Sequence, residues 1–152
     1  MPQATPGVRD SRYIARDLFE YVIPFYPNNN LPAGGLVSGA TATGVVNIDT
    51  DSDFFWQKGM YFATEADADE TLSSEIVPLI GVTIQDTTTG RNLSNDNVPV
   101  TSIFGTGSLP FINPIEKYFA ARAQIKATIT NFSAATTYTR LYLVFSGIKA
   151  FL

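Results

Sequence analysis

Three carboxylates at alternate positions, Asp49, Asp51 and Asp53, are the first residues whose type and spacing suggest chemistry. An Asp-x-Asp-x-Asp run opens many calcium-binding loops, because its carboxylates can converge on one hard cation. The match ends there, since the sixth position is Phe54 where the loop needs glycine. The twelfth position is Met60 where the loop needs a bidentate glutamate. The pattern leaves two interpretations, a calcium site and an acidic turn between two strands.

The nucleophiles and bases of most enzymes are missing, because the chain has no histidine and no cysteine. This excludes Ser-His-Asp triads, thiolate nucleophiles and zinc fingers. Ser–Lys catalysis needs only a serine and a lysine, but the pairs Ser146/Lys149 and Ser73/Lys58 lack a supporting motif. A glycosidase needs only two carboxylates, and no spacing selects such a pair. We therefore expect no enzymatic activity and no cofactor.

The charge and hydropathy of the chain argue against two classes of partner, nucleic acids and membranes. The 152 residues carry a net charge of −4, and a pI near 4.6 argues against nucleic acid as the main ligand. The longest apolar stretches, residues 79–84 and 141–145, are far shorter than the roughly 20 residues that span a bilayer. No apolar segment of a signal peptide follows Met1. We expect no membrane partner and a protein made and folded in the cytoplasm of its producing cell.

The charges are unevenly distributed along the chain. Residues 49–96 hold ten acidic side chains and two basic ones, whereas residues 97–152 hold one acidic side chain and five basic ones. An acidic and a basic segment in one molecule suit self-complementary packing between copies. A solvated acidic loop beside an ordinary basic strand explains the same distribution.

Residues 1–35 differ in composition from the remainder and are predicted to form an extended N-terminal arm. Ser11 can cap a short helix with Ile14, Leu18 and Val22 on one face. Prolines 24 and 27 would end this helix, and residues 27–35 are rich in asparagine, proline and glycine. The arm carries five aromatic side chains as candidate interface anchors: Tyr13, Phe19, Tyr21, Phe25 and Tyr26. They must be buried either on a neighbouring subunit or on the chain's own domain.

Residues 36–152 are predicted to form one all-β domain. Runs of Val, Ile, Thr, Phe and Tyr alternate with Gly, Asn, Asp and Pro and give about eight strands. They are 44–49, 54–64, 76–86, 91–93, 98–104, 109–113, 123–131 and 138–148. Residues 124–131 alternate strictly, and Gly90 closes a hairpin over residues 82–93. Strands at this spacing favour an antiparallel β-sandwich, jelly-roll-like in connection.

Trp56 is the only tryptophan and stands beside Phe54 and Phe55. An exposed indole on a sandwich can stack on a sugar, so Trp56 is a candidate surface contact. A single tryptophan in such a strand is also typical of a core or an interface.

Six segments of the C-terminal half form a recognisable series: TIQDTTTGR (83–91), VPV (98–100), IFGTG (103–107), LPF (109–111), ITN (129–131) and LVFSGIK (143–149). These segments cover less than half of the chain and consist mostly of turn and strand signals. Through them, the C-terminal half resembles minor structural proteins of tailed bacteriophages.

The resemblance implies a virion component with a small β-sandwich, and within that class a capsid cement or decoration protein. We expect such a protein to form a homo-oligomer and to bridge major capsid protein subunits on the capsid surface, with the arm as a clasp. A tail or neck accessory protein, or a carbohydrate-binding module of a tail fibre, is the alternative.

Overall fold

The computed structural model describes residues 13–65 and 76–152, and within these ranges the chain is all-β. Ten strands and one short 3-10 turn, Val100–Ser102, are present there. The strands are β1 (Ala15–Pro27), β2 (Asn30–Leu31), β3 (Thr41–Asn47), β4 (Ser52–Glu65), β5 (Ile80–Asp86), β6 (Arg91–Asn92), β7 (Val98–Pro99), β8 (Phe111–Phe119), β9 (Gln124–Asn131) and β10 (Tyr138–Phe151).

Five strands form the first sheet, in the order β2-β1-β10-β4-β8. All neighbours in it are antiparallel except β1 and β2, which are parallel over two residues. β10 is the central strand, and it pairs with β1 from Ala15↔Phe151 to Phe25↔Leu141. Register shifts between Trp56 and Lys58, in the pairing with β10 and in the pairing with β8, bend β4 locally.

The second sheet has the order β3-β9-β5-β6, with β7 also paired to β5. All of its pairs are antiparallel. In β9 the side chains of Ile125, Ala127 and Ile129 are buried and those between them are partly exposed. The alternation predicted for this strand is thus confirmed. The hairpin is confirmed as well, because Gln85 pairs with Asn92 and Gly90 has a φ of 72°.

The two sheets share one hydrophobic core, formed by the inward side chains of both. Gly44 in β3 shows how closely they approach, because a Cβ there would lie 2.6 Å from Ile23 Cγ2 in β1. Over residues 13–65 and 76–152 neither sheet closes on itself. The first sheet ends at β2 and β8, and the second ends at β3 on one side and at the short strands β6 and β7 on the other.

Strand β1 lies where the sequence predicted a helix and an extended arm. Residues 15–27 are the second strand of the first sheet, hydrogen-bonded along β10. A spacing of four places Leu18 and Val22 on one face of a helix, but an even spacing also places them on one face of a strand. Pro24 is tolerated because β1 is flanked on its other side only by the two-residue β2.

Candidate functional site: the outer face of the five-stranded sheet

The outer face of the five-stranded sheet, directed away from the core, is unusually apolar. Leu18 in β1 is 82% exposed, and Ile112 in β8 is 68% exposed. The strand period explains the position of Leu18: Tyr21, Ile23 and Phe25 point inward, so the even-numbered residues of β1 point outward.

The register aligns these apolar side chains in rows across the strands. Leu18, Ile148, Phe55 and Tyr118 form one row; Val22, Val144 and Met60 form the second; Pro24, Tyr142 and Phe62 form the third. Tyrosine, methionine and aliphatic side chains in one patch are typical of the centre of a protein–protein interface. Four large hydrophobic side chains of this face are at least 40% exposed: Leu18, Val22, Ile112 and Tyr118. Contiguous exposed apolar residues, unlike single scattered ones, mark contact surfaces.

A fourth row crosses the middle of this face and is charged at two positions. Glu20 in β1, Ser146 in β10 and Lys58 in β4 lie side by side. Both charged residues are exposed. An acidic and a basic group therefore flank the central strand symmetrically, one strand to each side.

A buried carboxylate fastens the start of β1 to this sheet. Asp53 is 3% exposed and accepts hydrogen bonds from Tyr13 Oη at 2.7 Å, Tyr118 Oη at 3.1 Å and the Ala121 amide at 2.8 Å. The Tyr13 ring packs edge-on against Phe55 at 6.0 Å. These contacts hold one end of the outer face in a fixed shape.

A second polar cluster lies at the same end of the molecule, near the edge of the core. Lys149 Nζ forms an ion pair with Asp49 Oδ2 and lies 4.5 Å from the centre of the Phe19 ring. The hydrogen bond from Lys149 lowers the pKa of Asp49, and that bond raises the pKa of Lys149. Burial raises the pKa of Tyr21, whose hydroxyl accepts a hydrogen bond from the Asp49 amide.

The outer face of the other sheet has the opposite chemistry. Thr41 lies opposite Thr130 and Thr43 opposite Thr128, with hydroxyl oxygens 3.2 and 3.4 Å apart. Lys126 lies next to these threonines, opposite Val45, which is 47% exposed. Such hydroxyl groups are well hydrated, so this face has little to gain from leaving water.

Three aromatic rings meet beside Arg140 at the far end of the apolar face. The Tyr142 ring lies 6.3 Å from Tyr26 and 6.2 Å from Phe62, and the Arg140 guanidinium lies 5.7 Å from the centre of the Tyr26 ring. Arg140 also donates a hydrogen bond to Tyr142 Oη at 3.1 Å. Phe62, Thr64, Arg140 and Tyr142 line a shallow depression there.

The five predicted anchors of the arm fall into two groups. Tyr21 and Phe25 are buried in the chain's own core, at 5% and 0% exposure. Their burial corrects the choice of Tyr21 and Phe25 as interface anchors and selects the other alternative, burial on the chain's own domain, because the β1 pairing places them in the core. Tyr13, Phe19 and Tyr26 keep part of their surface exposed.

Trp56 requires a second correction. It is 1% exposed, its ring lies 5.7 Å from Phe104 and 4.8 Å from Phe145, and its Nε1 donates to the Lys58 carbonyl. The indole therefore belongs to the core and does not offer a sugar-binding surface.

The aspartates of the candidate calcium loop do not converge. Asp49 is paired with Lys149, while Asp53 lies inside β4 and is occupied by its three donors. Over residues 13–65 and 76–152, no group of three acidic side chains is arranged to hold a metal ion. The acidic-turn interpretation fits this geometry.

The candidate Ser–Lys pairs are not brought together either. Ser146 belongs to the outer face, whereas Lys149, three positions later on the same strand, points to the opposite side and binds Asp49. Ser73 lies outside the described residues.

A groove opens between the edges of the two sheets, where β6 and β8 diverge. Asp86 and Glu116 both line it. Asp86 Oδ1 accepts a hydrogen bond from the Thr88 amide, and Glu116 Oε2 accepts one from Gln57, each at 3.0 Å.

Comparison with known proteins gives no match: no family model, curated protein or solved structure is similar to this chain. In the part of the chain that the structure describes, no helix has the length and apolar character needed to cross a membrane. The outer face of the five-stranded sheet is accordingly the strongest guide to function.

Proposed function

We propose that this protein is a structural component of a tailed bacteriophage virion, a capsid cement or decoration protein. It oligomerises on the capsid surface and bridges neighbouring subunits of the major capsid protein, after being made in the host cytoplasm. The two facing sheets fit a β-sandwich, and we propose that its connections are jelly-roll-like.

One observation carries this proposal: a single monomer leaves an extended apolar sheet face in water. Burying apolar surface contributes about 25 cal/mol per Å², so such a face favours association over isolation. A rigid two-sheet frame supports it, and the Asp53 hydrogen bonds fix one of its ends. A protein that stabilises a shell needs both rigidity and a surface for protein contacts.

Attachment to expanded heads tests the function. Wild-type protein added to heads that lack it should co-sediment with them and raise the temperature at which they release DNA. Leu18→Glu should reduce binding at least tenfold, because it places a charge in the apolar face through which copies associate, and a single copy loses the avidity of a bridging oligomer. Thr43→Glu, an equivalent change on the hydrated face, should bind like wild type. Failure of the wild-type protein to associate with heads would overturn the proposal.

The aromatic group around Tyr142 favours a second candidate, a carbohydrate-binding module of a tail fibre. Rings of Tyr26, Phe62 and Tyr142 beside Arg140 resemble the aromatic and polar mixture that recognises sugars. In that case Tyr142→Ala should abolish binding to host glycans on an array, while Trp56→Phe should not. An array without any specific signal for the wild-type protein would exclude this candidate.

A further inference from the structure

We propose that the outer face of the five-stranded sheet binds a second copy of this chain, around a two-fold axis that runs parallel to β10. The inference deepens the proposed function, on which it rests for the biological role of the pair. A second copy is the partner because the charged and apolar residues of this face are complementary to the same residues after a 180° rotation.

The first argument is charge complementarity. In the row Glu20, Ser146 and Lys58, the acidic group lies one strand to one side of β10 and the basic group one strand to the other. A two-fold axis along β10 exchanges the positions of β1 and β4 between the copies. Glu20 of each copy then faces Lys58 of the other, and the contact forms twice because the interface is isologous.

The apolar rows obey the same operation. Leu18 of one copy faces the row position of Phe55 in the other, and Val22 faces that of Met60. Val144 and Ile148 on β10 face their own counterparts. Facing sheets pack with strands about 30° apart and about 10 Å between the sheets. Glutamate and lysine side chains are long enough to span this separation.

The alternative axis, perpendicular to the strands, is disfavoured. It would place Glu20 opposite Glu20 and Lys58 opposite Lys58, and like charges held together at an interface cost binding free energy. The charged row that crosses the middle of the face therefore favours the axis parallel to β10, although this axis also brings Arg140, at the far end of β10, opposite its own counterpart.

The available area lies near the lower end of the range for specific pairs. The axis along β10 overlays three strands, β1, β10 and β4, which are about 14 Å wide at about 4.8 Å spacing, and the eleven residues from Arg16 to Tyr26 are about 36 Å long. The flat footprint is thus about 500 Å², and the corrugated surface is larger. A standard specific interface buries about 800 Å² on each partner.

Charge exchange between Glu20 and Lys58 tests the geometry. Sedimentation velocity of the full chain should show wild-type dimers at micromolar concentration. Glu20→Lys and Lys58→Glu should each weaken dimerisation at least tenfold. Lys126→Glu, the same substitution on the hydrated face, is the matched control and should dimerise like wild type.

The decisive test is whether compensating charge changes restore dimerisation. An equimolar mixture of the Glu20→Lys and Lys58→Glu proteins should form heterodimers, because both facing pairs then have opposite charges. The double variant Glu20→Lys/Lys58→Glu should form homodimers within about threefold of wild-type affinity. Both residues are exposed, so folding should be retained, and circular dichroism checks this.

Three results would overturn the inference: a wild-type monomer throughout the concentration range, dimers indifferent to the single substitutions, or no restoration on mixing. Different results would refute the two-fold pair and the virion function. A monomer that still binds heads would refute the two-fold pair alone, whereas a dimer that never binds heads would refute the virion function alone.

Discussion

Asp53 holds several parts of the molecule together through a single side chain. Its two carboxylate oxygens accept from Tyr13 near the start of β1, Tyr118 in β8 and the amide of Ala121 after β8. Nearly complete burial means that water cannot replace a lost bond.

Asp53→Ala should lower the free energy of unfolding by about 3 kcal/mol, because it removes the buried acceptor that these three donors share. Tyr13→Phe, which removes one of these bonds and keeps the ring, should cost only about 1 kcal/mol. Urea denaturation followed by tryptophan fluorescence measures both. A loss below 1 kcal/mol for Asp53→Ala would show that the carboxylate is not a structural anchor.

The Asp49–Lys149 pair should make stability depend on pH at both extremes. The pKa of Asp49 is lowered in the folded state by the hydrogen bond from Lys149, so its stabilisation is present above the usual aspartate pKa of about 3.9 and is lost as pH falls through the lower folded value. The pKa of Lys149 is raised. Its stabilisation is therefore complete below about pH 10 and is lost as pH rises through the raised value.

Lys149→Gln should flatten the acid limb of the stability profile between about pH 5 and pH 2. The effect should stay below about 1 kcal/mol, because the Asp49 side chain is half exposed and water screens the pair. Denaturation midpoints measured from pH 2 to pH 8 provide the test. Lys126→Gln, which changes a partly exposed lysine on the hydrated face, should leave the limb unchanged; equal profiles for both variants would contradict the assignment.

At the scale of the element, β1 carries two functions on its two faces. Phe25 is fully buried in the core, whereas Leu18 is largely exposed on the outer face. Phe25→Ala should therefore cost about 3 to 5 kcal/mol, and Leu18→Ala should change the unfolding free energy of dilute protein by less than about 0.5 kcal/mol. Thermal unfolding at low protein concentration compares the two. Equal small effects would mean that residues 15–27 are not part of the chain's own core.

The strands that could be predicted from sequence are those whose hydrophobic pattern or turn residues fit a strand and not a helix. β9 alternates strictly, and the β5–β6 hairpin is marked by its glycine. β1 was missed because the spacing of Ile14, Leu18 and Val22 fits a helix as well as a strand. Its prolines also suggested termination, although a strand near the sheet edge accepts them. The alternate spacing of Tyr21, Ile23 and Phe25 is the signal from which a strand could have been predicted.

The candidate site was harder to predict, because it depends on pairing between strands distant in sequence. Leu18, Phe55 and Ile148 become neighbours only through the register of three strands. Trp56 illustrates the same limit: its residue type suits a surface platform or a core, and only the position of β4 decides for the core. The spacing of Asp49, Asp51 and Asp53 could likewise not reveal that Lys149 and two tyrosines would bind two of these carboxylates.

At the scale of the whole molecule, the two outer faces divide the surface into a hydrated side and an apolar side. The threonines of β3 and β9 make one sheet compatible with water, whereas the rows around Leu18 and Ile148 make the other sheet a surface for protein contacts. A molecule with this asymmetry gains stability by covering one side only. Closed pairs are then favoured over open-ended aggregates, because a two-fold contact buries the apolar face of both partners.

Self-association through that face should make thermal stability depend on concentration. Dimerisation stabilises the folded state by mass action, so a tenfold rise in protein concentration should raise the unfolding midpoint by about 2 °C for a chain of this size. Differential scanning calorimetry from about 5 to 500 µM should therefore show a total rise of about 4 °C for the wild type. Lys58→Glu should have a nearly constant midpoint, and Lys126→Glu should follow the wild type. A wild-type midpoint that stays fixed over this range would show that the apolar face is not buried between copies in the folded protein.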